Sequence, residues 1–133
     1  MLILINALFL KPGRVGGTET YLRALIASIA RIDTDNQYIV CLGREATGGF
    51  GDLPRSWRIL ASPTVSANRP ARLALEQTWL PGIARRLGVD VIHSAGYTSP
   101  LVSNGGRLTT IHDMNYRRHP EDMSALEIGR AHV

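Results

Sequence analysis

The sequence predicts an open α/β sheet, mostly parallel, with helices on both faces. Three observations point to that class. A near-continuous apolar run at Leu2–Ala7 is the pattern of a strand covered on both sides. After Thr18 the apolar residues switch to three- and four-residue spacing. Tyr21, Leu22, Leu25, Ile26 and Ile29 form one stripe, and Arg23 and Arg31 take the opposite face. Such segments then alternate as strand, helix, strand, strand, helix, strand, strand.

The elements follow in order. After the first strand, residues 10–17 read as a loop broken by Pro12, Gly13, Gly16 and Gly17. Thr18 is the expected N-cap of the first helix, and Glu19 places negative charge where the helix dipole favours it. "DTDNQ" (residues 33–37) ends that helix, and "YIVCLG" is the second strand. Residues 43–54 form a polar, glycine-rich loop, most mobility is expected at 43–51 within it, and "WRILAS" (57–62) is the third strand. A helical pattern over 70–87 presents Leu73, Leu80, Ala84 and Leu87 on one stripe, with Pro81-Gly82 expected to kink or split it. "DVIHS" (90–94) and "RLTTIHD" (107–113) are the last two strands.

Length and composition bound the function. A chain of 133 residues builds one domain with a core, not two ordinary ones. It is 44% hydrophobic and 20% charged, with no apolar run near the ~20 residues of a membrane-spanning helix. "MLILINALFLK" has no basic leader and is interrupted by Asn6, so it reads as a strand rather than a secretory signal. A cytoplasmic protein is expected. The net charge is +4, and the basic residues are scattered, only Arg85-Arg86 and Arg117-Arg118 being adjacent. Nucleic-acid binders cluster such residues on one face, so no nucleic-acid partner is expected. A weakly basic surface suits anionic small substrates or peripheral contact with an anionic membrane. Cys41, the only cysteine, rules out an intrachain disulfide and a cysteine-based zinc site. Inside "YIVCLG" it acts as a small hydrophobe.

Residues 127–133, "EIGRAHV", follow no helix, strand or turn logic. They match one translation frame of a common sequencing-library adapter, and we read them as a non-native tail. The native domain is then residues 1–126, with the gene continuing beyond.

In open parallel sheets, ligands bind beyond the carboxyl ends of the strands. That rule selects "FLKPGRVGGTE", "IHSAGYTSP" with His93, Ser94, Gly96 and Tyr97, and "TIHDMNY" with His112, Asp113, Asn115 and Tyr116. Gly16 and Gly17 allow positive φ and close approach of a ligand, and the helix N–H groups near Thr18 would face an anion. A tight corner between strand and helix explains the same glycines. His112 fits hydrogen bonding to sugar hydroxyls or phosphate, or proton transfer, and equally a structural strand-end histidine. G-x-G-x-x-G and G-x-S-x-G are both absent, which argues against a dinucleotide site and a serine hydrolase. His93, His112 and His119 are too dispersed for a ligand motif, so no metal is expected.

Four pieces in order, "VGGTETYLRALIASIA" after the first strand, "EQTWLP" (76–81), "DVIHSAGYTSPL" and "TIHDMNYRRHPE", resemble the N-terminal domain of family 4 glycosyltransferases. These are retaining, sugar-nucleotide-dependent enzymes with two facing Rossmann-like domains, the GT-B fold. The resemblance covers about residues 1–124. It implies that Gly16, Gly17 and Thr18 lie against the donor diphosphate or the adjoining sugar. It implies that His112 reaches the transferred sugar, with Asp113 orienting its loop, as the catalytic pair. His93, Ser94 and Tyr97 would line the acceptor side. The donor is then a substrate and no cofactor is needed. The acceptor would be a glycan or lipid-linked glycan, as in polysaccharide biosynthesis. The family's second domain, with a paired-glutamate motif and basic residues for the nucleotide, has no counterpart in this sequence. The fragment alone is therefore expected to be inactive. The competing expectation is a stand-alone α/β domain that binds an anionic ligand or a protein partner without catalysis.

Overall fold

The computed structural model describes residues 1–14, 16–50, 53–65 and 68–113. Among these residues there are five strands: β1 (Leu2–Ala7), β2 (Gln37–Leu42), β3 (Arg58–Ala61), β4 (Val91–Ser94) and β5 (Gly106–Thr109). They lie in the order β3-β2-β1-β4-β5 and every pairing is parallel. The sheet is thus wholly parallel, one step beyond the mostly parallel arrangement read from the sequence. The first apolar run becomes its middle strand, which explains why Leu4, Ile5 and Ala7 are all fully buried.

Alternating side chains of each strand feed two cores. Ile5, Ala7, Tyr38, Val40 and Leu42 meet Leu22 and Ile26 of α1 (Gly17–Ile32) on one face. Leu4, Ile39, Cys41 and Ile92 meet the later helices on the other, through Leu80 and Ala84. Each fully buried leucine or isoleucine stabilises the fold by about 1.5–3 kcal/mol relative to exposure. Burial pushes the Cys41 thiol up to about 12, so it behaves as the hydrophobe its sequence context suggested.

The boundaries depart from the sequence reading in instructive ways. α1 is capped by Gly16, not Thr18: Gly16 sits at φ 56, ψ −125, and its carbonyl accepts the Thr20 N–H at 3.2 Å. Only glycine takes that backbone shape without strain, so the helix starts immediately after it. The pattern over 70–87 divides into α2 (Arg69–Gln77) and α3 (Trp79–Leu87). The break falls at Thr78, upstream of Pro81. A proline ring clashes with the carbonyl four residues earlier, here Gln77, while proline itself is tolerated in a first turn. Asn68 caps α2 by accepting the Ala71 N–H at 3.2 Å, and α3 ends on left-handed Gly88, φ 71.

β5 is shorter than expected. Its last partner is Ser94, the end of β4, paired with Thr109, so His112 and Asp113 lie beyond the strand. Residues 43–50 and 53–54, the described part of the connection after β2, are not a free loop either. They contain a 3-10 turn at Arg44–Ala46, and Ala46 and Phe50 are buried against α1. No helix among the described residues is long and apolar enough to cross a membrane.

Candidate functional site

β1 and β4 are neighbours, yet the chain leaves β1 towards β2 and β4 towards β5. Their carboxyl ends therefore open a crevice at the topological switch point, where α/β sheets bind ligands. A polar network lies directly beneath it. Asn6 Nδ2 donates to Ser94 Oγ at 3.2 Å and to Glu76 Oε2 at 3.4 Å. The Thr98 hydroxyl donates to the same Glu76 oxygen at 3.0 Å, and Asn6 Oδ1 accepts the Leu8 N–H. Glu76 is only 3% exposed. Such a carboxylate is tolerable only because donors surround it. The next residue holds the loop from the other side: Gln77 donates to the Ser99 carbonyl at 3.1 Å and accepts the Leu101 N–H at 2.9 Å.

Above the network, the segments following β4 and β5 are zipped together. The Thr110 N–H donates to Ser94 O at 2.9 Å and the Tyr97 N–H to Thr110 O at 3.3 Å. His112 Nε2 lies 2.8 Å from Ala95 O. Its ring meets Tyr21 edge-on at 4.8 Å between centroids and Tyr97 at 5.4 Å. Tyr97 is the one non-glycine among the described residues with positive φ, 54, a local strain that surrounding bonds must hold. Burial and a hydrogen bond to Asp113 push its hydroxyl up to about 12. Gly96 is required by packing, since a Cβ there would overlap the Phe9 ring.

The glycine loop leads into α1, whose Tyr21 meets His112. Gly13 takes φ 73 and donates its N–H to Glu19 at 2.9 Å. Arg23 pairs with Glu19 at 2.8 Å, donates to the Gly49 carbonyl, and lies 4.8 Å over the Phe50 ring. The Arg23 bond holds Glu19 below the usual carboxylate range. One ion pair thus ties the glycine loop to the connection after β2 at Gly49 and Phe50. A Cβ on Gly16 or Gly17 would meet nothing within 4 Å. Gly16 is explained by its φ. Gly17 is explained by neither conformation nor packing.

The predicted residues separate into two groups. Tyr97, His112 and Asp113 gather at the crevice, and His112 meets Tyr21 of α1, the helix at whose start Gly16, Gly17 and Thr18 stand. Ser94 is fully buried and acts within the network rather than at the surface. His93 is half-buried in β4, bonded to the Thr110 hydroxyl at 2.9 Å, and its burial favours the neutral ring. Asn115, Tyr116, His119 and residues 127–133 lie outside the described residues. Among the described residues no group of three His, Cys, Asp or Glu side chains is placed to hold a metal ion.

Sequence reasoning missed Tyr21, Asn6 and the role of Glu76. Tyr21 was absorbed into the apolar stripe of α1, but it is 37% exposed. Asn6 and Glu76 did leave a signal: each is a polar residue at a position the pattern reserves for the core.

Comparison of the chain with protein-family models, with curated proteins and with solved structures finds no match in any of the three.

Proposed function

We propose that the chain is the acceptor-side half of a retaining glycosyltransferase, transferring a sugar from a nucleotide-sugar donor to a glycan or lipid-linked acceptor. The observation that carries the reading is the meeting of His112 with Tyr21, one turn into the helix opened by Gly16-Gly17. A histidine and a glycine-opened helix, far apart in the chain, meet at the switch-point crevice. Gly17 supports it, because open space there suits the close approach of a ligand.

The division of labour is physical. Transfer passes through an oxocarbenium-like sugar and releases a diphosphate. The first-turn N–H groups of α1 suit the leaving diphosphate without a metal. Arg23 offsets the Glu19 charge beside them. His112 and Tyr97 suit the sugar, and the Glu76 network fixes the loop beneath them. The apolar side chains exposed at this rim, Tyr21 and Ile111 (50%), favour a docked second domain over the stand-alone binding module.

The test begins at the locus, read past the codon for Leu126. A second α/β domain with two glutamates eight positions apart is expected. The protein so encoded should release nucleoside diphosphate from a panel of nucleotide sugars in the presence of glycan acceptors. A stop codon after Val133 in genomic DNA, or no turnover with any donor, sinks the proposal.

A further inference from the structure

Three of the four asparagines among the described residues have their side chains tied down. Asn6 bonds to Ser94 and Glu76 inside the sheet, Asn36 donates to Asp33, and Asn68 caps α2. Asn104 is the exception. It is exposed, and its side chain has no hydrogen-bond partner among the described residues. It is also the only asparagine of the chain that is followed by a glycine.

That pairing carries chemistry. The backbone nitrogen of the next residue can close a five-membered ring on an asparagine side chain, and glycine, with no Cβ, leaves the approach unhindered. Ring closure needs a nitrogen that no sheet ladder holds. The Gly105 N–H donates within its own loop, to Ser103 Oγ at 3.2 Å. The ladder begins one residue later, where the Gly106 N–H donates to Asp90 O at 2.8 Å. Gly105 cannot be exchanged, because a Cβ there would overlap the Asp90 carbonyl. The close backbone pass that opens β5 therefore fixes a glycine behind an unrestrained asparagine.

We propose that Asn104 is a site of spontaneous deamidation, and that its isoaspartyl product unseats β5 from β4. The deprotonated Gly105 nitrogen bonds to Asn104 Cγ, the Cγ–Nδ2 bond breaks, and Nδ2 takes up a proton and leaves as ammonia. Water then opens the cyclic imide. Opening at Cγ gives aspartate. Opening at the main-chain carbonyl gives isoaspartate, whose main chain runs through Cβ and Cγ and is longer by one methylene. β5 has little to absorb that length. It has four residues, all exposed, and pairs with β4 alone at the edge of the sheet. The segment beyond it carries the Thr110 bonds to Ser94 and Tyr97 and the His112 bond to Ala95. A change at Asn104 thus reaches the crevice along the strand.

The experiment ages the purified chain in warm, mildly alkaline buffer and maps its peptides by mass spectrometry. The tryptic peptide Leu87–Arg107 holds Asn104 as its only asparagine. It should gain the mass of an amide-to-acid change and separate into two products, the isoaspartyl one identified by electron-based fragmentation. Peptides containing Asn6, Asn36 and Asn68 should stay unchanged. An unaltered Asn104 in the folded chain overturns the proposal, and reaction in denaturant alone would show that the fold protects it. Earlier conversion of another asparagine overturns it too.

Amide exchange separates added length from added charge. The Thr110 and Tyr97 N–H groups should lose protection in the isoaspartyl chain. Asn104→Asp brings the charge on a main chain of normal length and should keep that protection. Asn104→Gln, whose longer side chain cyclises far more slowly, should keep both mass and protection on ageing. Full protection in the isoaspartyl chain, or its loss in Asn104→Asp, overturns the structural half of the proposal. Sugar transfer enters none of these readouts, so this proposal and the proposed function stand or fall separately.

Discussion

Replacing Gly16 by alanine forces an L side chain into φ 56, at a cost of about 1–3 kcal/mol, and the melting temperature should fall. Gly17→Ala meets no such barrier, because a Cβ there finds open space and alanine is the better helix former. Its melting temperature should hold or rise. If Gly17 serves a ligand, donor affinity in the two-domain protein should drop with this substitution. Equal affinity in the two proteins would return Gly17 to the status of an ordinary loop residue. At Asp33, three partners hold the carboxylate below its ordinary range: the Tyr38 hydroxyl, the Asn36 side chain and backbone N–H groups. A depressed folded value means the stabilisation is complete above the unfolded value near ~4 and is lost as pH falls below it. Denaturation midpoints should therefore decline on acidification below about pH 4, and Asp33→Asn should flatten that part of the decline. Residue roles were legible where chemistry is local, as at Gly16. Tyr21 was not, since helical spacing alone does not say where a core ends and a rim begins.

The helices and strands owe their bounds to particular contacts, and those contacts are testable. Asn68→Ala removes the acceptor for the Ala71 N–H and should cost about 1 kcal/mol in chemical denaturation. An unchanged midpoint would mean that Pro70 alone sets the start of α2. Pro81→Ala should add helical signal by circular dichroism, since the clash that separates α2 from α3 is gone. Among the described residues the apolar periodicity revealed every element except the 3-10 turn at Arg44–Ala46, including β1 to the residue. It misplaced those boundaries that tertiary partners decide. β5 stops at Thr109 because β4 offers no partner after Ser94. α2 stops at Gln77 because of a proline four residues on, a rule that acts upstream of where the eye falls.

Glu76 joins three parts of the molecule, linking α2 to β1 through Asn6 and to the loop after β4 through Thr98. Glu76→Ala should cost about 1–3 kcal/mol for each buried donor left unpaired and loosen both sides of the crevice together. Amide exchange at Thr98 and Leu101 reads that loosening directly. Protection equal to that of the unaltered chain would show that Gln77 holds the loop alone. The sheet class and its two helical faces were readable from the sequence, because strand and helix alternation leaves few topologies. The network was not, because it depends on which strand ends become neighbours.

The strand order also sets a schedule for synthesis. Leu2–Ala7 leaves the ribosome before the other four strands and occupies the middle of the finished sheet. β2 can flank it once residue 42 has emerged. The other edge waits for β4, whose contacts with β1 span 88 positions. At about 5–20 residues per second, β1 spends seconds with an open apolar edge, pairing-competent and unprotected. A chain of this architecture is most exposed to misassembly while it is being made, and agents that shield nascent strands should raise its soluble yield more than any stabilisation of the folded product.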